Sequence, residues 1–176
     1  MTASGPGPRF GPGRPPFGSG WAARLLKSLL AASLWSMPAA RGLPAQVQAS
    51  AYVDGHRIEL PVDRLAASGL LALCEAQVDG ADSVLRLGVS AQSIQALRRD
   101  AWVLEIVYPA PRRFASAAGG RGIEASRLLI PLSGELSGSV TTVFYGNPDY
   151  QSGPLRNRQG SDEIARLVKS LTARGP

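Results

Sequence analysis

The chain has 176 residues with 19 basic and 13 acidic side chains, a length that suits one domain and a leader rather than two domains. Its net charge of +6 does not mark a nucleic-acid binder: five of the basic residues precede residue 46, where there is no acid, and the rest carries 14 basic against 13 acidic residues, so no basic stripe remains to release counterions. The single cysteine, Cys74, excludes an intrachain disulfide, a zinc cluster and a CxxC redox pair.

Residues 1–20, MTASGPGPRFGPGRPPFGSG, are of low complexity and hold too little apolar surface to pack a core. From Trp21 the order changes to Arg24 and Lys27, then an uncharged run from Ser28 to Met37, then Pro38 and small residues. That order is the pattern of a secretory signal peptide. The run is ten residues long, whereas a membrane span needs about 20, so no permanent span is expected after cleavage at Ala40, Ala45 or Ala49. The expected division is a low-complexity start and signal over 1–45 and one domain over 46–176, exported to the periplasm, a lumen or the exterior. An acid-free, arginine-bearing leader also fits an organelle transit peptide, which is the alternative.

The body opens on QVQASAYVDGHRIELPV. Asp54-Gly55 predicts a two-residue hairpin, because both central positions of a type I′ turn need positive φ. Pairing Val53 with His56 then sets Ala51 opposite Ile58, Ala49 opposite Leu60 and Val47 opposite Val62 on one face, with Gln48, Ser50 and Tyr52 on a polar one. Next, the glycine and the apolar alternation of GLLALCEAQV predict a strand over 69–78, although its Ala and Leu content favours helix. In that strand Ala72, Cys74, Ala76 and Val78 would share a face, making Cys74 a small buried hydrophobe.

A strand over 83–89 follows, then a helix capped by Ser90 and reaching Arg99, with Ala91, Ile94 and Leu97 along one side. AWVLEIVYP is apolar on both faces and predicts a central strand that Pro109 stops. A hairpin turning at Gly119 to Gly122, the β-branched strand SVTTVFYG, and a C-terminal helix from Ser161 complete the chain. In that helix Asp162 and Glu163 complement the dipole, and Ile164, Leu167, Val168 and Leu171 form the buried stripe. The expected class is α+β, a mostly antiparallel sheet of about seven strands with one short internal helix and a C-terminal helix.

Few residues offer chemistry. His56, the sole histidine, falls at the hairpin tip, and no second His, Cys or acid stands at metal-ligand spacing from it. No nucleophile elbow, S-x-x-K pair, phosphate loop or dinucleotide fingerprint occurs, so neither a cofactor nor a catalytic constellation is assigned. Glu105 interrupts an apolar face of the central strand and must find a partner there. The expected one is an arginine from the set Arg112, Arg113, Arg121 and Arg127, which also makes this cluster a candidate anionic-ligand site.

The fifteen residues Gly146–Gly160, GNPDYQSGPLRNRQG, show no helix or strand period. Asn147, Asp149 and Gln151 alternate oxygens in the manner of a calcium loop, but Ser152 and Arg158 stand where such a loop has its glycine and its bidentate glutamate. Tyr150, Leu155, Arg156 and Arg158 instead suit contact with a protein partner, since Tyr and Arg are favoured interface anchors. The sequence thus points to an exported, non-catalytic interaction or accessory domain working through the 146–160 loop. The alternative is a small extracytoplasmic hydrolase or ligand-binding protein using Glu105, Asp149 and nearby arginines.

Overall fold

A computed structural model describes residues 46–120 and 122–173; the expected leader over 1–45 and Arg121 lie outside the described residues. Strands β1 (Gln48–Val53) and β2 (His56–Leu60) meet at Asp54 and Gly55, whose φ angles of 49° and 78° are those the turn requires. Val53 pairs with His56, Ala51 with Ile58 and Ala49 with Leu60. The ladder ends there. Pro61 has no N–H to donate, and Val62, the expected partner of Val47, opens helix α1 (Val62–Ser68).

The strand expected over 69–78 is a helix. Gly69, at φ 69°, ends α1 in the left-handed conformation and starts α2 (Leu70–Asp79). Leu70, Cys74, Gln77 and Val78 are buried at helical spacing, whereas Ala72 and Ala76 face solvent. The Ala- and Leu-rich composition therefore prevails over the apparent alternation. Strand β3 is also shorter than expected, at Ser83–Val84. It pairs with β7 (Leu155–Asn157) until Pro154, which can accept from Leu85 N (2.8 Å) but cannot donate in return.

Helix α3 (Ala91–Asp100) begins as expected. Ser90 Oγ accepts from Ser93 N at 3.0 Å, and Ser90 N donates to Ser93 Oγ at 2.9 Å. Strand β4 (Val103–Phe114) runs through Pro109 instead of stopping at it. Val107 pairs with Arg127 and Arg112 with Ala125, so residues 108–111, with their two prolines, bulge opposite Ser126 alone. A 3-10 turn (Ala117–Gly119) leads to β5 (Ile123–Pro131), followed by β6 (Thr141–Gly146), β7 and α4 (Asp162–Ala173). The Ser161 hydroxyl, expected as a cap, accepts from Gly138 N at 3.4 Å.

The fold is α+β: among the described residues, a seven-stranded, wholly antiparallel sheet in the order β2-β1-β4-β5-β6-β7-β3 with four helices. One face packs Leu104, Ile106, Leu128, Ile130 and Val143 against Leu65 of α1, Leu70, Cys74 and Val78 of α2, and Ile164 and Val168 of α4. The opposite face holds a smaller core of Val103, Leu129 and Phe144 under Ile94 of α3. The side of β1 that reads as polar is therefore partly roofed by α3. Among the described residues no helix is long and apolar enough to cross a membrane.

Candidate functional site

Alternation along β4 sends Leu104 and Ile106 into the larger core and Glu105 to the α3 face, in a row with Ser50 of β1 and Leu129 of β5. Glu105 is only 6% exposed. Its carboxylate is met from four elements. Tyr52 of β1 donates to Oε2 at 3.0 Å, Tyr150 from the turn after β6 donates to Oε1 at 2.7 Å, and Arg98 of α3 donates to the same oxygen at 2.5 Å. Arg127 of β5 approaches Oε1 to 4.0 Å. The Arg98 guanidinium also lies 5.4 Å from the centre of the Tyr52 ring, within cation–π range.

This placement meets the expected pairing through Arg127 and adds a closer arginine. The close arginine is Arg98, outside the expected set, and of the described members of that set Arg127 alone reaches the carboxylate. Arg112 instead pairs with Glu75 at 2.6 Å and stacks over Tyr108, whose hydroxyl donates to the same carboxylate at 3.2 Å, tying α2 to β4. Arg113 is exposed beside Gly122, and Arg121 lies outside the described residues. A signal for Arg98 was present: it stands four residues after Ile94 and one after Leu97, on the inward stripe of α3, where a charge needs a buried counterpart.

The electrostatics follow from burial. Desolvation, then the neighbouring Glu105 charge, pushes the phenols of Tyr150 and Tyr52 up, and desolvation with Glu75 does the same for Tyr108. Burial acts to lower Arg98, but the Glu105 carboxylate more than offsets it and holds the guanidinium above its usual value. The Cys74 thiol, wholly buried, is pushed up as well and is inert.

Groups whose folded pKa is raised favour the native state below their unfolded pKa and withdraw that stability as pH climbs toward the folded one. The phenols begin this loss near pH 10, their unfolded value. In an alkaline titration, phenolate absorbance is expected to lag behind free tyrosine and to rise together with loss of fold. A curve superimposable on free tyrosine would show that these hydroxyls are not held as described.

The 146–160 stretch is ordered by backbone and side-chain bonds. Asn147 N donates to Asp149 O at 3.1 Å and Gln151 N to Tyr145 O at 2.9 Å, closing a tight turn. A Cβ at Gly146 would stand 1.9 Å from the Asp149 carbonyl oxygen, so only glycine permits this closure. Leu155 is fully buried in β7, and Tyr150 is half-buried with its hydroxyl on Glu105. Arg156 is exposed, and Arg158 pairs with Asp82 at 2.8 Å. These two line a shallow hollow of about 420 Å³ with Asp82 and Ser83. The four candidate interface residues thus do not form one surface, because strand alternation turns Leu155 inward and Arg156 outward.

Above Glu105 lies a pocket of about 220 Å³ between the N-terminal half of α3 and the turn. It is lined by Ser90, Ile94, Gln95 and Arg98 on one side and by Arg127 and residues 148–150 on the other. Asp149 and Arg127, from the alternative reading, therefore meet at this pocket, with Glu105 buried beneath through Arg98 and Tyr150. Asn147, the first oxygen of the calcium-like series, accepts from Ser126 Oγ at 3.1 Å. Among the described residues no group of three or more His, Cys, Asp or Glu side chains is placed to hold a metal ion, and His56 stays exposed at the hairpin tip.

Fold and site together define an antiparallel α+β domain with a pocket over a buried carboxylate. No family model, no curated protein and no solved structure matches this chain.

Proposed function

We propose that the protein acts outside the cytoplasm as a non-catalytic recognition domain, and that it takes a small ligand in the pocket between α3 and the 146–150 turn. The observation that carries this reading is the division of labour at the pocket. Glu105 already receives Tyr52, Tyr150 and Arg98, whereas Arg127 and Asp149 line the pocket without a close partner among the described residues. A general base must come within reach of the proton it removes, and Glu105 is buried and is not among the residues that line the pocket. A protein partner docking on Tyr150 and Leu155 would require both to leave their places. Recognition in the pocket requires no such change.

The test is a screen of small polar compounds by amide chemical shifts of the full chain. Shifts confined to residues 91–95, 127 and 149–150 are expected; shifts that are absent, or scattered along β2, would overturn the reading. Export has its own measurement: the protein recovered from its own cells should lack about the first 40 to 49 residues by intact mass. Full-length chain in the cytosol would remove that half of the proposal.

A further inference from the structure

We infer that the pocket is built for a small zwitterion, a free amino acid being the simplest, with the ligand carboxylate on Arg127 and its ammonium on Asp149. This rests on the small-ligand reading above and names the ligand class. Four charged groups surround the pocket, but they do not count equally. Glu105 and Arg98 are joined at 2.5 Å and mostly buried, so their charges offset each other, although Arg98 forms part of the lining. Arg127 and Asp149 remain.

Arg127 keeps 39% of its side chain exposed, and its nearest anion is Glu105 at 4.0 Å. That separation leaves most of its five donors uncommitted. Asp149 is exposed, and among the described residues its carboxylate makes no ion pair or hydrogen bond. The two line the same pocket without pairing with each other. Arg127 is set by its ladder rung with Gly146, and Asp149 by the turn that leaves that same residue. A lining with one charge of each sign held by no close partner opposes a plain anion through Asp149 and a plain cation through the arginines, whereas a zwitterion satisfies both.

The remaining lining fits the same ligand. Gln95 and Ser90 supply polar atoms beside the charges, and Ile94 and Pro148 supply apolar surface for a short side chain. At roughly 30 Å³ per water the volume holds about seven waters, which is room for a small amino acid.

The experiment titrates the full chain with L-alanine, with acetate and with ethylammonium, following amide shifts at residues 91–95 and 149–150. L-Alanine is expected to bind at least about tenfold more tightly than either half-molecule. Arg127→Gln and Asp149→Asn should each weaken it by about tenfold or more, with Asp149→Asn leaving the melting temperature unchanged because the turn side chain is exposed. Should Arg127→Gln loosen the Glu105 cluster, Asp149→Asn by itself still decides the matter. Acetate binding as tightly as L-alanine, or indifference to Asp149→Asn, would overturn the zwitterion while leaving a pocket that binds small ligands. No binding of L-alanine by a protein whose pocket does take other screened compounds would overturn it equally.

Discussion

Removing the Glu105 carboxylate by Glu105→Leu is expected to destabilise the protein by about 3–5 kcal/mol, which for a unit of this size lowers the melting temperature by roughly 10–20 °C. The cause is not the lost attraction by itself. Arg98 remains on the inner side of α3 with its side chain 17% exposed, and its guanidinium then has no anion to face. Tyr52 and Tyr150 lose their acceptor in the same step. The residual exposure of Arg98 lets water relax part of the cost, which favours the lower end of the range.

The double variant Glu105→Leu/Arg98→Met should recover a large part of the loss, since replacing both members of a buried pair is far cheaper than orphaning one. Thermal denaturation of the two single variants and the double closes the cycle. Additive effects, or a nearly neutral Glu105→Leu, would show that the four-element clamp does not hold α3 to the sheet.

The second large effect is expected at Leu104 or Ile106. Either one replaced by alanine should cost about 2–5 kcal/mol. Both are at most 1% exposed, on a strand flanked by β1 and β5 and packed within the larger core. The contrast is Ile58→Ala on edge strand β2. Ile58 is 36% exposed and loses much less apolar contact, so denaturant midpoints should separate clearly. Tyr52 does not serve as that contrast, despite its place on the apparently polar side of the hairpin, because α3 covers it and its hydroxyl serves Glu105. Equal and small losses at Leu104, Ile106 and Ile58 would mean that β4 is not the centre of the sheet.

What was legible in the residues themselves was local. Asp54-Gly55 admits few conformations, and the alternation on either side supports a single register, so the β1–β2 hairpin could be written out nearly rung by rung. Ser90, and Asp162-Glu163 ahead of an apolar stripe, marked α3 and α4, because caps and the helix dipole act within one turn. The antiparallel α+β class followed from the same short-range signals. The presence of Glu105 on an apolar strand also announced that a buried partner had to exist.

Only the tertiary structure decided the rest, and in each case the deciding contact was distant in the chain. Leu70–Asp79 carries both an alternating and a helical pattern; packing against β4, β6, β7 and α4 selects the helix, in which Leu70, Cys74 and Val78 turn inward together. Pro109 ends no strand, because β5 tolerates a bulge opposite Ser126. The partners of Glu105 come from 53 positions before it, 45 after it and across the turn from α3. Composition requires that a buried carboxylate be met, whereas the β1–β4–β5 pairing and the seat of α3 determine that Arg98, Tyr52 and Tyr150 meet it. Those choices also bring Arg127 and Asp149 into the lining of one pocket.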